Sequence, residues 1–223
     1  MAKKQKNKII VFANQKGGVG KTTLCTMFAN YLAKKGEGVL VIDADVQQTI
    51  SNMRKSDIAE GLDPIYNVQV MNIEKVNEVN AIMEKVLEVG GFVLIDAPGT
   101  LSQNGLIPIF ANSDFIVCPY QYEKTAISST VTFIKTVAVM KKKIEGMNTK
   151  MIFVPNRIDS RIGTAAELEL WQKTDESLKA LGTVTPRIAY KSDMQRYNSI
   201  DMPAPQEKIV KECFDALYRS VTE

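Results

Sequence analysis

Two lysines five residues apart, Lys16 and Lys21, stand among three glycines in the stretch NQKGGVGKTT at residues 14–23. A glycine-rich turn between an apolar run (KIIVFA) and a helical pattern can cradle phosphate. Its backbone amides face the anion, a terminal lysine reaches the β- and γ-oxygens, and the next hydroxyl binds Mg²⁺. Gly20, Lys21 and Thr22 supply the end of the GxxxxGK[ST] pattern, but Gln15 occupies its first glycine position. The helix that follows presents unpaired amides to an anion as well. Such a loop needs one lysine, so Lys16 requires a second explanation.

Three carboxylates stand in comparable places. VLVIDADVQQ carries Asp43 and Asp45 two residues apart, and FVLIDAPGT carries Asp96, each at the end of an apolar run. A carboxylate at the position of Asp96 would hold Mg²⁺ through water. Asp96 to Gly99 also spells DxxG, so the Gly99 amide could sense a γ-phosphate and act as a switch. The sequence has no histidine. Any catalysis must therefore work through carboxylates, lysines, backbone amides or a bound cation, and a carboxylate is the expected group to orient water.

The elements that must position these residues read as an α/β protein. Continuous apolar runs at 8–13, 38–43, 92–96, 114–118, 150–155 and, more weakly, 183–189 alternate with helical stretches at about 21–35, 74–89, 125–145, 164–181 and 205–221. Continuous rather than alternating runs are those of strands buried on both faces. The alternation predicts a doubly wound, mainly parallel sheet flanked by helices, in a single domain over 1–223. Residues 46–67 are less regular and read as a loop with a short helix. In such sheets the ligand lies at the carboxyl ends of the strands. Asn14 to Lys21, Asp43, Asp45, Asp96 and Asn156 all fall there.

Composition narrows the classes further. The 223 residues are 45% hydrophobic and 24% charged, with a formal net charge of +3, which suits a globular domain and is too little to imply nucleic acid by itself. No apolar run approaches the ~18 residues of a membrane span. Cys25, Cys118 and Cys213 are scattered, which argues against a disulfide scaffold or cysteine metal site and for a reducing, cytoplasmic setting.

NQKGGVGKTT resembles the deviant Walker A motif of the ParA/MinD family of P-loop ATPases, and is especially close to the ParA partition branch of the small type without an N-terminal helix-turn-helix. The resemblance implies a fold, the cofactors ATP and Mg²⁺, and a role for each lysine. Lys21 would hold the phosphates of its own ATP, whereas Lys16 would reach across a homodimer to the nucleotide of the other subunit. The phosphate-binding set is then Gln15, Lys16, Gly17, Gly18, Val19, Gly20, Lys21, Thr22 and Thr23. DADVQQ matches the family's DxDPQ except that Val46 replaces proline; by resemblance Asp45 positions the attacking water while Asp43, with Thr22 and Asp96, supports Mg²⁺. VPNRID resembles the segment whose asparagine, Asn156, contacts adenine. Arg157 and Pro186, the latter in TPRIAYKSDMQRYNS, complete the nucleotide set.

The same resemblance implies non-specific double-stranded DNA as a partner of the ATP-bound dimer, a ParB-like centromere-binding protein that stimulates hydrolysis, and nucleoid association. Basic residues cluster at 3–8, at 141–143, in 187–196 and in the last helix. The candidate DNA-binding set is Arg187, Lys191, Arg196, Lys208 and Lys211, because the family's DNA-binding residues lie in its C-terminal part. Two alternatives stay open: a MinD-like membrane-associated positioning ATPase, and an ATP-dependent biosynthetic ligase of related fold. The last helix has an apolar stripe that reads as core packing, and the chain ends RSVTE rather than in a basic apolar tail, against a membrane role.

Overall fold

The computed structural model describes residues 7–100, 103–159, 161 and 163–223. Seven strands form one sheet in the order β3-β2-β4-β1-β5-β6-β7, and every paired neighbour is parallel. They are β1 (Lys8–Phe12), β2 (Val39–Asp43), β3 (Asn67–Val70), β4 (Phe92–Asp96), β5 (Phe115–Tyr120), β6 (Lys150–Pro155) and β7 (Thr183–Val184). The helices are α1 (Lys21–Lys34), α2 (Thr49–Ala59), α3 (Val76–Val86), α4 (Leu106–Ala111), α5 (Lys124–Lys143), α6 (Ala165–Lys179) and α7 (Ala204–Thr222).

Strand β1 lies between β4 and β5, and its alternate side chains enter two separate cores. Ile9, Val11 and Ala13 join Val79 and Met83 of α3, Ile109 and Phe110 of α4 and Phe133 of α5. Ile10 and Phe12 join Leu24 and Phe28 of α1 and Val210, Phe214 and Leu217 of α7. A strand covered on both faces has no reason to alternate polar with apolar, which explains the unbroken run KIIVF. The predicted doubly wound sheet is therefore present, with all of its strands parallel.

Three regions differ in part from the sequence reading. Residues 46–67 contain a full helix, α2, and lead into an edge strand, β3, whose residues NVQV are mostly exposed and give no apolar signal. Helix α4 was not expected; it is six residues long with Pro108 in its first turn, where proline's missing N–H is tolerated. It fits close to the β3–α3 connection because residue 105 is glycine: a Cβ there would fall 2.1 Å from the Ile73 carbonyl. The run 183–189 pairs only at Thr183–Val184 and through a single bridge of Ala189 with Ile158. Of the basic run 3–8, Lys3, Lys4 and Lys6 lie outside the described residues.

Candidate nucleotide site

The loop between β1 and α1 is built from glycines in conformations that side chains disfavour, with φ of 78° at Gly18 and 100° at Gly20. Buried asparagines hold it at both ends. Asn14 donates to the Pro119 carbonyl (2.7 Å) and to Thr130 Oγ1 (2.9 Å), and its own Oδ1 accepts from the Lys16 N–H at 3.3 Å. Asn156, at the end of β6, donates from Nδ2 to the Val19 carbonyl at 2.8 Å. Gln15, Gly17 and Gly18 are exposed, whereas Val19 is fully buried and anchors the loop's far side. Gly20 caps α1 without a side-chain hydrogen bond, and the first turn of α1, which holds Thr22 and Thr23, has no acidic residue. Its amides are left for an external anion.

Lys21 is buried, and its ammonium has one long contact, 3.5 Å to the Lys16 carbonyl. Burial lowers its pKa, opposed by the charges of Asp96 and then Asp45. Gly99 lies alongside: a Cβ there would stand 3.6 Å from Lys21 Nζ. Asp43 and Asp96 are both fully buried and neighbours in register across β2 and β4. Asp43 Oδ2 accepts from the Ser51 N–H at 2.9 Å, but among the described residues Asp43 Oδ1 and both Asp96 oxygens have no partner at hydrogen-bond geometry. Burial raises the pKa of each, that of Asp96 to about 7, with the Thr22 hydroxyl beside it pulling down and Asp43 pushing up.

Three orphaned carboxylate oxygens in the interior fit a divalent cation, because an unpaired buried acid is costly and a cation relieves it. Among the described residues no group of three or more His, Cys, Asp or Glu forms a closed cage. The remaining positions must go to hydroxyl, water and phosphate oxygens, the donor set Mg²⁺ takes in phosphate sites. Thr22, Asp43 and Asp96 would hold it. Asp45 stands beyond them, half-buried, with Oδ1 accepting from the Gln47 N–H at 2.9 Å.

Lys16 points the other way. Its ammonium lies 3.4 Å from Thr125 Oγ1 at the exposed start of α5, beside Glu123, which caps that helix. A separate pocket opens next to the loop, lined by Thr23, Asn156, Arg157, Ala189, Tyr190, Lys191, Met194 and Gln195. It borders the loop through Thr23 and Asn156. Pro186, expected there from sequence, is exposed and does not line it; the lining begins three residues later.

Residues 10–200 match the family model for the CobQ/CobB/MinD/ParA nucleotide binding domain. The chain belongs to that family. Among its relatives is a protein named as the chromosome-partitioning ATPase Soj of Treponema pallidum, 30% identical over 218 residues, spanning 81% of this chain and 83% of that protein. In fold the chain resembles a structure solved as a plasmid partition protein of Borrelia burgdorferi bound to AMPPNP, with a TM-score of 0.73, 19% identity and 97% and 100% of the two chains covered. It resembles the MinD cell division protein of Aquifex aeolicus almost as well, with a TM-score of 0.69, 22% identity and 97% and 98% covered.

Membership of the CobQ/CobB/MinD/ParA family does not by itself assign the basic residues, and the structure separates them. Lys191 lines the pocket beside the loop. Arg187 is committed inward: it pairs with Asp175 at 2.8 Å and lies over the rings of Tyr122 and Trp171. Lys211 pairs with Asp215 on its own helix. Arg196 and Lys208 are exposed. The five expected DNA contacts thus do not act alike.

Sequence reading missed two polar clusters around this family site. Tyr120 and Tyr122 hydroxyls both donate to Asp175, as does Arg187, which ties α6 to the sheet. Buried Arg54 of α2 donates to Ser199 Oγ (2.8 Å), the Ser199 carbonyl (2.6 Å) and the Tyr66 carbonyl (2.5 Å), and Asp57 accepts from Ser199. Partners 145 positions apart leave no spacing to read.

Proposed function

We propose that the chain is an Mg²⁺-dependent ATPase that works as a dimerising switch in DNA partition. The observation that carries the reading is the divergence of the two loop lysines. Lys21 is sunk beside the orphaned carboxylates, while Lys16 lies on the exposed lip by Thr125. In this reading one cation neutralises the protein's own triphosphate, and the other, held only by a long contact to Thr125 on the exposed lip, can be given up to a neighbour's. Mg²⁺, when bound, would draw charge from the phosphate oxygens. Asp45 is the carboxylate left to orient water, since Asp43 and Asp96 are given over to the cation. The names of the relatives, a chromosome-partitioning ATPase and a plasmid partition protein, support the biological setting.

In this reading the ATP-bound dimer binds duplex DNA without sequence preference, and a ParB-like partner releases it by stimulating hydrolysis. Arg196, Lys208 and Lys191 remain its candidate phosphate contacts. The MinD-like alternative is disfavoured by α7. Its apolar residues Val210, Cys213, Phe214, Leu217 and Val221 are all buried against the sheet, so the helix has no apolar face to lay on a bilayer.

The test is binding to non-specific duplex DNA with ATP, with ADP and without nucleotide, over a range of salt, for wild type and Lys16→Ala. ATP-dependent, salt-sensitive binding that Lys16→Ala loses supports the proposal. Binding indifferent to nucleotide, or absent under every condition, overturns its DNA part. In the same assay series Asp45→Ala forms the ATP dimer without turnover; normal hydrolysis by that variant would remove Asp45 from its role.

A further inference from the structure

Asn156 enters the sequence reading as a base contact, yet one of its two side-chain N–H donors is already engaged elsewhere. It is 3% exposed, and its Nδ2 donates to the carbonyl of Val19, inside the phosphate loop. Only the amide nitrogen can face a carbonyl, so this contact fixes which way the side-chain amide is turned. The asparagine is itself immobilised, because its backbone N–H donates to the Tyr120 carbonyl at the end of β5 (2.8 Å). Gly20 fits closely over it: a Cβ on that glycine would fall 2.3 Å from Asn156 Nδ2. Strand β6 and the loop are thus held in contact at one point, and glycine at position 20 is what permits the approach.

The consequence follows from peptide geometry. The bond between Val19 and Gly20 is trans, and in a planar trans peptide the C=O and the next N–H point in opposite directions. Holding the Val19 carbonyl toward Asn156 therefore turns the Gly20 N–H away from it. We propose that Asn156 is a positioning residue for the phosphate loop. It aims the Gly20 amide at the bound phosphate and so couples the base pocket, which it also lines, to the phosphate cradle. This rests on the nucleotide reading above and goes beyond it, since a pure base contact has no reason to influence a ligand without a base.

A base-free ligand is accordingly the probe. Titration calorimetry with Mg²⁺-tripolyphosphate and with Mg²⁺-ATP compares wild type, Asn156→Ala and Asn156→Asp, the last keeping the shape but setting an acceptor against the Val19 carbonyl. We expect both variants to bind tripolyphosphate about tenfold or more weakly, on the scale of losing one buried hydrogen bond. Unchanged tripolyphosphate affinity with weakened ATP would leave Asn156 a base contact and overturn the proposal. Wild-type protein that bound neither ligand would overturn the nucleotide reading beneath it. Amide NMR of the wild type is independent of how well the variants fold. The Gly20 N–H and the Asn156 side-chain resonances should shift together as tripolyphosphate is added, and an Asn156 signal that stays fixed while Gly20 moves would refute the coupling.

Discussion

Replacing Asp96 by asparagine should stabilise the ligand-free protein above neutral pH while destroying its response to Mg²⁺-ATP. The Asp96 carboxyl is fully buried, both its oxygens lack partners, and burial raises its pKa from 3.8 to about 7. An acid whose native pKa exceeds its unfolded one binds its proton more tightly when folded. Folding then takes up a proton, and stability declines as pH rises through the window from 3.8 to about 7, reaching a floor above it. A displacement of about three pH units corresponds to roughly 4 kcal/mol. An asparagine avoids the charge but still buries an amide, so the net gain at pH 8 should be roughly 2–4 kcal/mol, shrinking toward zero at pH 5. Urea unfolding in chelator at the two pH values measures it directly. Addition of Mg²⁺ with ATP should then raise the midpoint of wild type and leave the variant unmoved. A variant less stable than wild type at pH 8, or a gain of equal size at pH 5, would refute the assignment of Asp96 as an uncompensated buried acid.

Three further variants have defined outcomes. Lys21→Ala should weaken ATP binding by about a hundredfold, the scale of a charge-assisted contact, whereas Lys16→Ala should bind ATP nearly normally yet stay monomeric by light scattering at saturating ATP. Arg54→Ala removes three hydrogen bonds and leaves the Ser199 hydroxyl and two buried carbonyls without that donor, while Asp57 keeps its bonds from Ser199. It should cost about 3–5 kcal/mol and lower the thermal midpoint on the order of 10 °C, read by calorimetry.

Much of this site was legible because its chemistry is local. Loop, strand ends and aspartates each declare themselves within ten residues, and the rule that ligands gather at carboxyl ends of parallel strands brings them together. What was not legible depends on distant partners or on weak elements. Strand β3 is four mostly exposed residues at an edge, where no apolar run is required. Pro186 does not line the pocket and Lys191 does, because the chain after β7 stays bonded to β6 through the Thr185 and Ile188 N–H groups with Pro186 exposed between them, and only from Ala189 onward does it border the pocket. Arg187 looked like a free cation, but Asp175 and two aromatic rings claim it, and only tertiary structure joins them. The grip of Asn156 on Val19 spans 137 positions and has no sequence signature at all.

That span bears on how the molecule is made. Strand β1 pairs only with β4 and β5, which begin at Phe92 and Phe115, and the loop that follows it is pinned from residue 156. The phosphate loop is therefore synthesised before the strands and the asparagine that give it its shape. A nascent chain short of β6 carries the whole motif but lacks the Asn156 contact that holds its far end. Such non-local closure is slow to form, since loop entropy must be overcome before any contact rewards it. An assembled phosphate loop thus reports that β4, β5 and the end of β6 are in place, so the motif most compact in sequence is also a readout of distant contacts in the sheet.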